Sequence, residues 1–185
     1  MRYSSIRNLD ISNGEGVGVS LFVQGCDRNP HCFNCFNQMT WDFNGGKEWT
    51  EETKNKFMEL IDRPYIKRIS ILGGEPLAEQ NIDEVLSLTQ QISSSFPEKS
   101  IWLYTGYTWE DIWEDNNIII DEYTLHVYEN YKKRQAIIKL CNVLVDGEYI
   151  DEQKDFTLRF KGSKNQRVID VKQSLAQNKV ILYCD

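Results

Sequence analysis

The chain lacks any run approaching the ~18 to 20 consecutive apolar residues of a membrane-spanning helix, so no membrane partner is expected. It shows no apolar N-terminal run followed by a cleavage site, and the cytoplasm is the compartment this predicts. Paired disulfides are not expected either: the 5 cysteines are an odd number, and 185 residues can bury roughly 70% of the unfolded chain's surface without covalent staples. An excess of basic charge is also missing. With 21 basic against 28 acidic side chains the net charge is −7, which argues against a phosphate backbone as partner. The short cluster Lys132-Lys133-Arg134 reads as a solvated helix face. No internal repeat, low-complexity tract or linker divides the chain, and one domain spanning residues 1–185 is expected.

Against these absences stands a crowding of thiols. Cys26, Cys32 and Cys35 fall within ten residues of one polar loop. Thiolates that close repel one another unless a cation or an iron-sulfur cluster shares their charge, so the loop reads as a metal or cluster site.

The surrounding punctuation alternates as a strand-helix series does. Gly16 to Gly25 encloses Val17, Val19, Leu21, Phe22 and Val23, a strand that runs straight into the cysteine loop. Thr50 before Glu51-Glu52-Thr53 is an N-cap signal, and Phe57, Leu60 and Ile61 keep helical spacing up to Pro64. Ile69 to Leu72 reads as a strand ending at Gly73-Gly74, and Ile82, Val85, Leu86 and Ile92 mark the next helix. Ile101 to Thr105 is a third strand, Thr108 caps a short helix over Trp109 to Glu114, and Asp121 to Leu140 reads as helical. Further strands are expected at Asn142 to Val145, Thr157 to Phe160, Val168 to Val171 and Val180 to Tyr183.

This order predicts one α/β domain of mostly parallel strands, with ligands at the carboxyl ends of those strands. The cysteine loop, Gly73-Gly74-Glu75-Pro76 and Thr105-Gly106-Tyr107 each follow a strand directly, so they share one rim. Gly73 and Gly74 let the main chain approach a ligand closely, and Glu75 adds a carboxylate suited to a cationic amino group.

Five segments together resemble the activating proteins of anaerobic (class III) ribonucleotide reductases, within the radical S-adenosylmethionine superfamily. They are the cysteine loop, Gly73-Gly74-Glu75-Pro76, Trp102 to Tyr107, Val143 to Gly147, and Lys161 to Val171. The resemblance spans nearly the whole chain. It implies an incomplete (β/α) barrel in which Cys26, Cys32 and Cys35 hold a 4Fe-4S cluster and leave one iron open for S-adenosylmethionine. It implies an oxidoreductase that cleaves that cofactor reductively and places a glycyl radical on the large subunit of the reductase. Asn34, Cys35 and Phe36 are expected at the cofactor, with Phe36 near the adenine. Gly73, Gly74 and Glu75 match the segment receiving the methionyl amino group, and Thr105 and Gly106 are expected beside the ribose or methionyl part. No acid-base residue is required, and a flavodoxin or ferredoxin is the implied electron donor.

The loop departs from the superfamily's usual spacing. Five residues, Asp27-Arg28-Asn29-Pro30-His31, separate Cys26 from Cys32 where three are usual. His31 therefore offers a rival, a zinc-binding module built from Cys26, His31, Cys32 and Cys35, although adjacent His31 and Cys32 point in different directions. A radical enzyme acting on a small molecule is the second alternative. Cys141 reads as a buried apolar residue, Cys184 as a thiol near the chain end, and His126 as a surface or packing residue. Gly162 to Arg167, with Asn165 and Arg167, is a candidate element beside the cofactor opening.

Overall fold

The computed structural model describes residues 1–113 and 124–184. Eight strands form one sheet: β1 (Arg2–Asp10), β2 (Gly18–Val23), β3 (Lys47–Glu48), β4 (Arg68–Gly73), β5 (Ser100–Tyr104), β6 (Val143–Asp146), β7 (Arg167–Asp170) and β8 (Leu182–Cys184). Their order across the sheet is β3-β1-β2-β4-β5-β6-β7-β8. The parallel arrangement is confined to the middle four, β2-β4-β5-β6. At either side β1, β3, β7 and β8 pair antiparallel.

Helices α1 (Glu51–Asp62), α2 (Glu79–Ser95), α3 (Trp109–Trp113), α4 (Leu125–Leu140) and α5 (Val171–Gln177) complete the fold. Alternation along each strand sends Val19, Leu21, Ile69, Ile71, Ile101, Leu103 and Leu144 to one side. There they pack with Phe57 and Ile61 of α1, Val85, Leu88 and Ile92 of α2, and Ile137 and Ile138 of α4 in one buried core. The opposite side carries Phe22, Leu72, Tyr104 and Val145, and a smaller cluster of Trp102, Val143, Val145 and Val168. The helices thus leave that second side free for a cavity.

The caps behave as the residue types demand. Thr50 Oγ1 accepts the Thr53 N–H at the start of α1. Thr108 Oγ1 accepts from Asp111 N while Asp111 Oδ2 accepts from Thr108 N, a reciprocal box opening α3. Arg68, wholly buried at the start of β4, faces Asp10 at 3.5 Å and donates to the main-chain oxygens of Asp10, Asn13 and Glu15.

Several expectations need correction. Thr157 to Phe160 is not a strand but a run of turn and bends: Asp155 Oδ1 accepts from the Thr157 N–H and hydroxyl, and Phe160 sits at φ +63°. Val171 leaves the strand and begins α5, because Asp170 caps it by accepting the Gln173 N–H. Strands β1 and β3 and helix α5 were not foreseen. Of the helix expected over Asp121 to Leu140, residues 121–123 lie outside the described residues, as does Glu114 of the short helix. No helix among the described residues is long and apolar enough to cross a membrane.

Candidate functional site

The C-terminal ends of β2, β4 and β5 converge as the parallel order requires. After β2, the cysteine loop leaves and returns through main-chain bonds: Gly25 N donates to Thr40 O at 2.7 Å and Cys26 N to Trp41 O at 3.0 Å. The turn after β4 is stitched to the loop's first leg, with Gly74 N donating to Val23 O (3.0 Å) and Glu75 N to Gly25 O (2.7 Å). A Cβ on Gly74 would overlap the Gly25 carbonyl oxygen, so this close approach of two main chains requires glycine.

Glu75 joins the second turn to the third. It is 1% exposed, yet Oε1 accepts from the Thr105 hydroxyl (2.7 Å) and Leu77 N (2.9 Å), and Oε2 from Gly106 N (2.8 Å). Burial pushes its carboxyl up to about 7 even though these bonds favour the charged form.

The three rim turns wall one cavity of about 520 Å³. Cys26, Cys32 and Cys35 line it together with Phe36, Gly73, Gly74, Glu75, Thr105 and Gly106, so those sequence-derived candidates meet in one place. Asn34 does not line the wall. It stands exposed at φ +55° and its amide donates to Asp151 Oδ2 at 2.9 Å. Phe22, Leu72 and Val145 supply apolar lining from the helix-free side of the sheet.

The donor set fits a cluster better than a single ion. All three loop thiols are partly buried, and burial pushes Cys26 up to about 11 and raises Cys32, where Arg28 opposes the shift and Cys35 and Glu148 reinforce it. Thiols in such a place become thiolates when a cationic group takes up their charge. Among the described residues no three His, Cys, Asp or Glu side chains meet closely enough to share one metal ion. A cubane makes no such demand, since each thiolate binds a different iron.

His31 does not join the thiols in a tetrahedral arrangement. Its ring stacks on Trp41 at 4.3 Å and 13°, and Nε2 lies 3.3 Å from the Cys26 carbonyl oxygen. Cys141 is fully buried in the core, its thiol donating to Ile137 O, and Cys184 packs beside the Trp102 cluster, both away from the cavity wall.

Residues to which the sequence assigned no cofactor contact complete the site. The longer Cys26–Cys32 arm, whose Asn29–Pro30 peptide is cis, is held by Arg28 on Gly106 O and Glu148 and by the Tyr107 hydroxyl on Asp27 Oδ2 (2.9 Å). Tyr149 packs on Phe36 with ring centroids 4.8 Å apart. Gly162 leaves room behind Phe36, whose Cε2 would stand 2.8 Å from a Cβ there. Part of this support falls in the Gly162 to Arg167 segment. Its Gln166 ties Gly147 O to the Gly162 and Ser163 N–H groups, and Asn165 donates to Glu148 O. Arg167 instead clasps Asp146 and Glu110 and belongs to the framework.

A family model described as a 4Fe-4S single cluster domain matches residues 12–169. An anaerobic ribonucleoside-triphosphate reductase-activating protein of Vibrio cholerae is 35% identical over 168 residues, covering 90% of this chain and 96% of the relative. The protein of that name from Escherichia coli K12 is 35% identical over 170 residues, 91% and 97% of the two chains. That of Enterobacteria phage T4 is 33% identical over 170 residues, 91% and 93%. With its cysteine loop, its double-glycine turn and this likeness along nine-tenths of its length, the chain belongs to the family of anaerobic ribonucleoside-triphosphate reductase-activating proteins.

Proposed function

We propose that the chain is a radical S-adenosylmethionine activase that places the glycyl radical on an anaerobic ribonucleoside-triphosphate reductase. The observation that carries this reading is the single cavity walled at once by Cys26, Cys32, Cys35 and the two strand-end turns. There the thiolates of Cys26, Cys32 and Cys35 would hold a 4Fe-4S cluster. When bound and reduced, such a cluster would supply the electron for reductive cleavage of S-adenosylmethionine, the chemistry from which a glycyl radical on the reductase would derive.

The chain's own residues bind and orient. Gly74 has given its N–H to Val23, so the group it offers a methionyl ammonium is its carbonyl. Both Glu75 oxygens are engaged by Thr105, Leu77 and Gly106, so Glu75 acts as a brace whose charge, rather than a free oxygen, favours the ammonium. Thr105 and Gly106 form the adjoining wall for the ribose or methionyl part. Phe36, backed by Tyr149, offers an aromatic face to the adenine. Asn34 fixes the loop to Asp151 from outside the cavity. Phe22, Leu72 and Val145 keep water from the apolar side. No side chain needs to act as acid or base.

The parallel β2-β4-β5-β6 block, with helices on one side and the cavity on the other, supports an incomplete (β/α) barrel open to an entering protein loop. Residues 1–185 act as one domain, in the cytoplasm, with a flavodoxin or ferredoxin as donor. Anaerobic reconstitution followed by iron, sulfide and S-adenosylmethionine cleavage assays tests the reading. The expected result is roughly four irons and four sulfides per chain, with reductant-dependent formation of methionine. Stoichiometric zinc without iron, or a cluster that leaves the cofactor uncleaved, would contradict it.

A further inference from the structure

The longer Cys26–Cys32 arm carries Arg28, which pairs with Glu148 at the edge of the cluster loop. Arg28 Nη1 donates to Gly106 O and Nη2 to Glu148 Oε2, both at 3.0 Å, and the two side chains are 26% and 48% exposed. The Arg28 side chain packs closely on the third turn: a Cβ on Gly106 would stand 2.8 Å from its Cδ. Both charges line the same cavity wall as Cys26 and Cys32. Arg28 is carried on the cysteine loop itself, and Glu148 meets the loop through it.

Resting on the cluster site proposed above, we propose that the Arg28–Glu148 pair sets the reduction potential of the cluster held by Cys26, Cys32 and Cys35. Reduction adds one negative charge to the cluster. A cation fixed beside a ligand loop stabilises that added charge and an anion opposes it, and water screens the half-buried Arg28 less than the exposed Glu148. Arg28 therefore raises the potential and Glu148 moderates the rise. The pair is a positioning and tuning device and touches no reacting atom. It also fastens the longer arm to the Gly106 turn, so the two sulfurs that flank it keep a fixed separation.

The test is a redox titration of the anaerobically reconstituted full chain, followed by the electron paramagnetic resonance of the reduced cluster. Arg28→Gln is expected to move the midpoint to a more negative potential and Glu148→Gln to a more positive one. Arg28→Lys, which keeps the charge, should stay close to the unsubstituted protein while retaining less iron during desalting. Where Arg28→Gln does not hold a cluster, the sign of the Glu148→Gln shift decides, because that variant keeps the bond to Gly106. Potentials that are unchanged in both glutamine variants, or displaced in the same direction, overturn the tuning role and leave the cluster site standing. Failure of the unsubstituted chain to take up iron and sulfide overturns both.

Discussion

Glu75 accepts three hydrogen bonds from donors on its own turn and the next while remaining wholly buried. Glu75→Gln would turn one acceptor into an N–H₂ that faces donors, leaving buried groups unpaired at about 1–3 kcal/mol. The expected outcome in urea unfolding of the cluster-free chain is a loss of that size, together with weaker S-adenosylmethionine binding in the reconstituted chain. Asp10 illustrates the opposite balance at a second buried carboxylate. Burial alone would raise its pKa, but the main-chain and side-chain N–H groups of Asn13 and the main-chain N–H of Ser12 pull it down to about 2. The unfolded chain takes up that proton near 3.8, so the carboxylate's contribution is complete above this pH and fades as pH falls toward about 2. Linkage makes the contribution roughly 2 kcal/mol. Unfolding of the cluster-free chain at pH 5 and pH 2 should reveal this acid loss, and Asp10→Asn should remove that part of the pH dependence.

At the scale of elements, the Asp146–Arg167–Glu110 clasp links β6, β7 and α3. Arg167 Nη2 lies 2.5 Å from Asp146 and 2.6 Å from Glu110, and Asp146 also accepts the Trp109 N–H. Arg167→Ala leaves a buried Asp146 charge uncompensated, and a destabilisation of roughly 3–5 kcal/mol is expected by urea unfolding. Molecules that remain folded should still cleave S-adenosylmethionine, because the clasp stands off the cavity wall. Elements with a local signature were legible in the sequence. Thr50 and Thr108 announce their helices, and the β-branched runs at Val19 to Val23 and Ile69 to Leu72 announce strands buried on both sides. Strand β1 was hidden because Arg2–Asp10 mixes polar and apolar residues without alternation, and its extended form comes from pairing with β2. Helix α5 was masked by the β-branched run Val168 to Val171, which Asp170 divides between strand and helix. Thr157 to Phe160 carries strand-type residues, but the Asp155 turn and the left-handed Phe160 override them.

Across the whole molecule, parallel β2, β4 and β5 deliver three turns to one rim, and helices on the far side leave the cavity side open. The cysteine loop and the double-glycine turn could be read directly because each is a short contiguous motif. Arg28's partners Gly106 and Glu148 lie 78 and 120 residues along the chain, so no local pattern announces them. Phe36 and Tyr149 are likewise joined only by the fold. The separation explains why the ligands were legible and their support was not. The central claim is that three thiolates and this rim together launch a radical that ends on another protein. Its most direct measurement is electron paramagnetic resonance of the anaerobic reductase after incubation with the reconstituted chain, reductant and S-adenosylmethionine. A glycyl radical doublet that requires S-adenosylmethionine and vanishes with alanine at Cys26, Cys32 or Cys35 is the predicted result; cofactor cleavage with no radical on the reductase would contradict the account.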